Sequence, residues 1–186
     1  MTLAEIEDRI SRSPIIASIH DCNFDEVILS QVEVLFHLKA NVNTIAQQIA
    51  DAHKAGKAIF VHIDLADGIG KDKSGVEYLS KLGVDGIITT RGHIVRVARE
   101  AGLAVVQRCF VLDSYGVQNI KDLPNAYPPH FIELMPGVVS KAIRSMAKRN
   151  IPVIAGGLIE TKQEATEALA AGAVAVSTGK QELWNM

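Results

Sequence analysis

Aromatic residues make up only 5% of this 186-residue chain, which leaves little material for stacking bases, and no RRM, KH or OB signature is present. No apolar run approaches the ~20 residues that span a membrane. The N-terminus, with Glu5, Glu7, Asp8 and Arg9 in helical register, lacks the basic-then-apolar layout of a signal peptide. A cytoplasmic protein with no membrane partner is therefore expected. Cysteine is confined to Cys22 and Cys109, unclustered and without metal-ligand spacing, which points to reduced thiols rather than a disulfide framework. A strong charge of either sign is missing too: the formal net charge of −2 does not mark a nucleic-acid binder. Gly-x-Ser-x-Gly, HExxH and P-loop patterns are all absent, and nothing in the chain implies a cofactor or a metal.

What is present is a core. At 48% hydrophobic, with no Pro/Ser-rich linker, residues 1–186 are expected to fold as one domain. Short apolar runs rich in β-branched residues alternate with helical periods along the whole chain. A first helix over residues 3–12 precedes strands at Ile15–Ile19, VEVLFHLKAN, Ala58–Ile63, Gly86–Thr89, Ala104–Phe110, FIELMPG, IPVIAGG and AVAVST. Helices are expected at Phe24–Ser30, Val42–Ala55 (stopped by Gly56), Gly75–Leu82, Ile94–Ala101 (stopped by Gly102), near Val117–Leu123, at Val138–Arg149, and after Thr161. Thr161 with Glu164 three residues later has the form of a capping box. No Asn-Gly hairpin signal separates the strands. Eight strand–helix units without hairpins predict an α/β fold, a compact (β/α)8 TIM-like barrel. An open doubly wound sheet is the alternative, but its glycine-rich fingerprint is missing from the first strand–helix turn, SIHDCN.

In such a barrel the functional face is built from the strand ends. Those ends carry His20 and Asp21, His37 and Lys39, His62 and Asp64 with Asp67, Thr89 to Arg91, Arg108 with Asp113 and Ser114, Glu133, Gly156-Gly157, and Ser177-Thr178. Gly156-Gly157 alone suits an ordinary tight turn. Paired with Ser177, Thr178 and Gly179 one unit later, it has the layout of a phosphate site, with backbone N–H groups and hydroxyls aimed at one anion. Strand parity sets Glu133 with Phe131 and Met135, opposite Ile132 and Leu134, so its carboxylate points into the barrel and needs a partner, for which Arg108 is the natural choice. His62 and Asp64 share parity and suit either a base with its orienter or two hydrogen-bonders to ligand hydroxyls. Lys39 ends an apolar strand and suits either an anion contact or a snorkelling surface role.

The ordered motifs LFHLKAN, FVHIDLADG, DGIITTRG, QRCFVLDS, IELMPG, PVIAGGLI and AVST together resemble the bacterial glycerol-3-phosphate-responsive antiterminator family, over nearly the whole chain. The resemblance implies a non-enzymatic regulator that binds glycerol 3-phosphate as effector and then the leader mRNA of a glycerol-catabolism operon, preventing termination. It further implies that Gly156, Gly157, Ser177 and Thr178 hold the phosphate, and that Lys39, His62, Asp64, Arg108 and Glu133 line the glycerol end. Arg91 stands where the family is expected to carry lysine. For RNA, the segment from Pro136 to Ile159 contains no acidic residue, and Lys141, Arg144 and Lys148 fall at i, i+3 and i+7 of one helix face, with Arg149 alongside. A solvated helix face is the ordinary account of such a run; with the resemblance it becomes the leading RNA surface, ahead of Arg91, Arg96 and Arg99. A homo-oligomer is left open. The alternative function is a barrel enzyme, an isomerase or phosphodiesterase acting on a phosphorylated small molecule, with His62 or Glu133 as general base.

Overall fold

In the computed structural model eight parallel strands close into a barrel in sequence order: β1 (Ile15–Ile19), β2 (Val34–His37), β3 (Ala58–His62), β4 (Gly86–Thr89), β5 (Ala104–Phe110), β6 (Phe131–Met135), β7 (Val153–Gly156) and β8 (Ala175–Thr178), with β8 returning to pair with β1. The structure describes residues 1–20, 23–113, 116, 120, 126–148 and 151–186. Around the barrel lie α1 (Leu3–Arg12), α2 (Phe24–Leu29), α3 (Ile45–Lys54), α4 (Lys73–Lys81), α5 (Gly92–Glu100), α6 (Ser140–Met146) and α7 (Lys162–Ala170). The fold is therefore the (β/α)8 barrel expected from the alternation of elements. The helix expected near Val117–Leu123 falls largely outside the described residues, as do Asp21, Cys22, Ser114 and Arg149.

Alternation along each strand produces two cores. One parity packs outward against the helices, for example Ile15, Leu35, Ile59, Ile87, Val105 and Val153. The other fills the barrel, with Ile16, Phe36, Phe60, Ile88, Phe131 and Ile154 among its members. Ile6 and Ile10 join that inner cluster, so α1 plugs the N-terminal end of the barrel with its apolar face. Its start is held by a reciprocal capping box between Thr2 and Glu5. At the same end Asp85, only 2% exposed, accepts from the Met1 ammonium at 2.7 Å, from His53 Nε2 at 2.9 Å and from the Ile59 N–H at 2.9 Å. One carboxylate thus ties α1, α3, β3 and β4 together.

Several element boundaries are tighter than the periodicity suggests. Helix α3 begins at Ile45 rather than Val42, because the Asn41 side chain accepts from Asn43 N–H and its carbonyl accepts from Thr44 and Ile45 N–H, which makes a turn of residues 41–44. β2 stops at His37, because the chain then turns and residues 40–42 bond to Asp67 of the β3–α4 loop. α6 spans Ser140–Met146 instead of Val138–Arg149, since Gly137 is drawn to β7 by donating to the carbonyls of Gly156 (2.6 Å) and Gly157 (3.0 Å).

Gly86 has a steric reason. It pairs in register with Phe60, whose ring fills the barrel beside Phe36 at a centroid distance of 5.4 Å, and a Cβ on Gly86 would lie 2.1 Å from Phe60 Cε1. Gly86→Ala is expected to lower stability in urea unfolding by about 1–3 kcal/mol, the usual cost of overpacking a closed core. Gly92→Ala, where a Cβ would meet nothing within 4 Å, is the matched control and should leave the midpoint unchanged or slightly raised.

Candidate functional site

Where the inner parity reaches the C-terminal end of the barrel, apolar side chains give way to Arg108 of β5, Glu133 of β6 and Ser177 of β8. Register pairing sets Arg108 beside Glu133, and Gly156 of β7 beside Ser177. Arg108 Nε donates to Glu133 Oε2 at 2.6 Å, and Ser177 Oγ donates to Oε1 at 2.6 Å. The inward carboxylate and its arginine partner, both expected from parity, are therefore present. The bond from β8 to β6 passes over β7, and Gly156 makes this passage open: a Cβ there would lie 2.6 Å from both Glu133 Oε1 and Ser177 Oγ. The side-chain room at Gly156 is thus taken up by the polar cluster.

Above this floor opens a cavity of about 410 Å³ lined by Ser18, His20, Leu38, Arg108, Glu133, Met135, Gly157, Leu158, Ser177, Thr178, Gly179 and Lys180, among others. Gly157 (φ 75°) and Leu158 (φ 59°) are both in the left-handed region, an uncommon conformation for leucine. Among the described residues, the N–H groups of Leu158 and Gly179 find no backbone acceptor, while that of Gly157 lies toward the Ser177 carbonyl in the β7–β8 ladder. The Lys180 ammonium stands at the rim, half-exposed and 3.7 Å from Glu160. Free amide donors and a cation at one end, with an ion-paired carboxylate at the other, make the cavity two-ended.

Two details of the expected phosphate site change. Thr178 has its hydroxyl occupied, donating to the Ile159 carbonyl (2.8 Å) and accepting from Lys180 N–H (3.1 Å), so it braces the β8 exit against the β7–α7 loop. The start of α7 is closed by its own capping box, as Glu164 accepts from Glu160 and Thr161 N–H at 2.9 Å each. The unused donors belong to the loops and not to that helix.

The remaining sequence-based candidates separate from the cavity. Asp64 sits in a 3-10 turn (Ile63–Leu65), where it accepts from Thr89 Oγ1 (2.9 Å), Thr90 N–H (2.7 Å) and Thr90 Oγ1 (2.9 Å), with Arg91 Nε at 3.6 Å. Burial tends to raise its pKa, but these donors outweigh burial and lower it. It clamps the β4–α5 loop instead of pairing with His62. Lys39 lies beyond the end of β2, exposed, 4.0 Å from Asp67 and outside the cavity lining. His37 is on the outward parity and bonds Gln48 of α3 at 3.1 Å, away from the cavity lining. His62 is 2% exposed and faces the barrel interior; among the described residues its Nδ1 has no hydrogen-bond partner. Burial first, and then the Arg108 charge, pull its pKa down to about 4. Lys141 and Arg144 are exposed on α6, and Lys148 is exposed in the turn that follows. Sequence reasoning passed over Ser18, Leu38, Met135 and Lys180 as cavity-lining residues. Lys180 had a readable signal, since it follows Ser177-Thr178-Gly179 directly.

A family model described as glycerol-3-phosphate responsive antiterminator matches residues 15–184. The crystal structure of a glycerol uptake operon antiterminator regulatory protein from Listeria monocytogenes superposes with a TM-score of 0.87 at 32% identity, covering 94% of this chain and 96% of that one. An antiterminator-related protein from Thermotoga maritima gives 0.83 at 32% identity, with 92% and 98% covered. The deoxyribose phosphate aldolase from Aeropyrum pernix gives 0.68 at 16% identity over 98% of this chain and 91% of its own, a likeness of fold alone.

Buried His62 and partly buried His130 make stability depend on pH. His130 accepts the Val105 N–H on Nδ1 at 2.9 Å, and burial with the nearby Arg99 charge lowers its pKa to about 4 as well. Both rings bind a proton more weakly folded than unfolded, so their contribution is fully present above pH ~6.5 and is lost as pH falls towards 4, by about 1.36 kcal/mol per pH unit for a single fully shifted site. Urea unfolding between pH 7.5 and 4.5 should show this decline, and His62→Gln should flatten it. Asp64, whose pKa is lowered, loses its contribution only below the ordinary aspartate range and stays outside this window.

Proposed function

The chain belongs to the glycerol-3-phosphate responsive antiterminator family, and we propose that it binds glycerol 3-phosphate in the barrel-mouth cavity and a leader mRNA through a separate basic face. The observation that carries the ligand reading is the two-ended cavity itself. The N–H groups of Leu158 and Gly179, with Lys180 and the open backbone at Gly157, suit a phosphate, while Arg108, Glu133 and Ser177 suit the hydroxyls of a short polyol. Lys39 and Asp64 have no place in this assignment, Gly156 serves by leaving room, and Thr178 serves by bracing the loop. His62 is buried and faces the barrel interior, outside the cavity lining.

We read the protein as a sensor and not a catalyst. Both oxygens of Glu133 already accept hydrogen bonds, and His62 is buried, so neither is placed as a free general base in the cavity. Lys57, the lysine most deeply buried among the described residues, bonds the carbonyls of Ser30 and Val32 and is not part of the cavity. A calorimetric titration with glycerol 3-phosphate should give saturable binding with no product. Ser177→Ala should weaken it by about 0.5–2 kcal/mol. Turnover of the ligand would return the enzyme reading to first place.

For RNA, α6 and its following turn are favoured over α5. Among the described residues no carboxylate lies within ion-pairing distance of Lys141, Arg144 or Lys148, whereas Arg91 faces Asp64 at 3.6 Å and Arg96 faces Glu100 at 3.9 Å. Unpaired cations are the ones free to displace counterions from a polyanion. Replacing Lys141, Arg144 and Lys148 by alanine should weaken leader binding across sequences and flatten the salt dependence of log K by about 0.7 per lost contact on single-stranded RNA. Glycerol 3-phosphate affinity should be unaltered. An unchanged salt slope would move the RNA surface to Arg91, Arg96 and Arg99.

A further inference from the structure

Resting on the reading that the barrel mouth holds glycerol 3-phosphate, we infer that Arg108 and Glu133 make the floor of the cavity selective for hydroxyl groups, so that the site accepts a polyol phosphate and rejects its keto and carboxylate counterparts.

The charges in the cavity are at odds with an anionic ligand. A site for an anion gains nothing from a carboxylate, yet Glu133 lines the cavity. It is held there at 2.6 Å by Arg108 Nε and at 2.6 Å by Ser177 Oγ. β7 gives up a side chain at Gly156 to make room, since a Cβ would lie 2.6 Å from Glu133 Oε1. The fold thus accommodates this carboxylate at some cost, and the amide donors and Lys180 at the rim serve the anion without its help.

What the floor offers is a matched pair. Among the described residues Arg108 donates only through Nε to Glu133, so its terminal amino groups keep their N–H donors, and each Glu133 oxygen keeps a lone pair after accepting one bond. A hydroxyl both donates and accepts, and so satisfies both partners at once. A ketone can only accept: it meets Arg108 and covers Glu133 without giving it a donor, leaving a desolvated carboxylate short of a hydrogen bond. A carboxylate also only accepts and adds like-charge repulsion. Sites built to bond a ligand hydroxyl reject analogues that lack it by large factors, while apolar walls such as Leu38 and Met135 cannot discriminate in this way.

The test is a calorimetric series on the whole protein with glycerol 3-phosphate, dihydroxyacetone phosphate, 3-phosphoglycerate and inorganic phosphate. The expected result is that the keto and carboxylate compounds bind at least about 100-fold more weakly than the alcohol. Glu133→Gln, which keeps the shape but supplies an N–H, should weaken the alcohol, strengthen the ketone and shrink the ratio to about 10-fold or less. Ser177→Ala keeps the carboxylate and should weaken the alcohol while preserving the preference. A wild-type protein that binds ketone and alcohol within about threefold of each other overturns the inference, as does a Glu133→Gln protein with an unchanged ratio. If Glu133→Gln does not fold, as judged by its thermal melt, the wild-type series decides alone. If none of the four compounds binds, the ligand reading of the cavity falls, a result distinct from loss of selectivity.

Discussion

A carboxylate set above an otherwise apolar barrel interior is the constraint on which the upper half of this molecule depends. Glu133 is 1% exposed, and removing such a charge from water costs several kcal/mol unless its lone pairs are met by well-placed donors. Arg108 and Ser177 meet them from strands on either side, and β7, which lies between β6 and β8, must present a glycine where the bond to Ser177 passes. Three strand residues and one missing side chain are therefore explained by a single requirement. Below this level the barrel needs nothing polar: Phe36, Phe60 and Phe131 fill it, and Gly86 yields space to Phe60.

Much of this was readable from the sequence because it rests on local period. Strand positions, the inward direction of Glu133 and the capping box of α7 all follow from alternation within one segment or from residues three apart, and the need of a buried carboxylate for a partner points to Arg108 on the adjacent strand. His37 and Lys39 show where that logic ends. Parity groups them with Leu35 against Val34 and Phe36, but a strand of a closed parallel barrel is buried on both faces, so the pattern does not label which face is inside. Here Phe36 is inside and His37 meets Gln48 of α3.

Asp64 and Thr178 were illegible for another reason. Each is placed at a strand exit, as a ligand residue would be, and each bonds a loop from elsewhere in the chain: Asp64 accepts from Thr89 and Thr90, and the Thr178 hydroxyl donates to the Ile159 carbonyl. Only the return of those loops decides whether a polar group at the mouth is free or committed, and loop return has no period. The same holds for the left-handed Leu158, since leucine carries no signal for positive φ.

The site and the basic face are neighbours along one strand–loop–helix unit. Glu133 and Met135 of β6 line the cavity, Gly137 follows, and α6 with Lys141 and Arg144 begins at Ser140. Gly137 donates to the carbonyls of both Gly156 and Gly157, and a Cβ on Gly137 would lie 2.7 Å from Gly156 N, so the loop leading to α6 is packed directly on the loop whose amides face the cavity. A ligand that draws the Gly157–Leu158 backbone toward an anion acts on the same peptide units that anchor Gly137. On the proposed assignment, communication between ligand and RNA would need no long path through the core, because the two surfaces would share this hydrogen-bonded junction; what it would need is a second stable position of the junction whose population the ligand shifts.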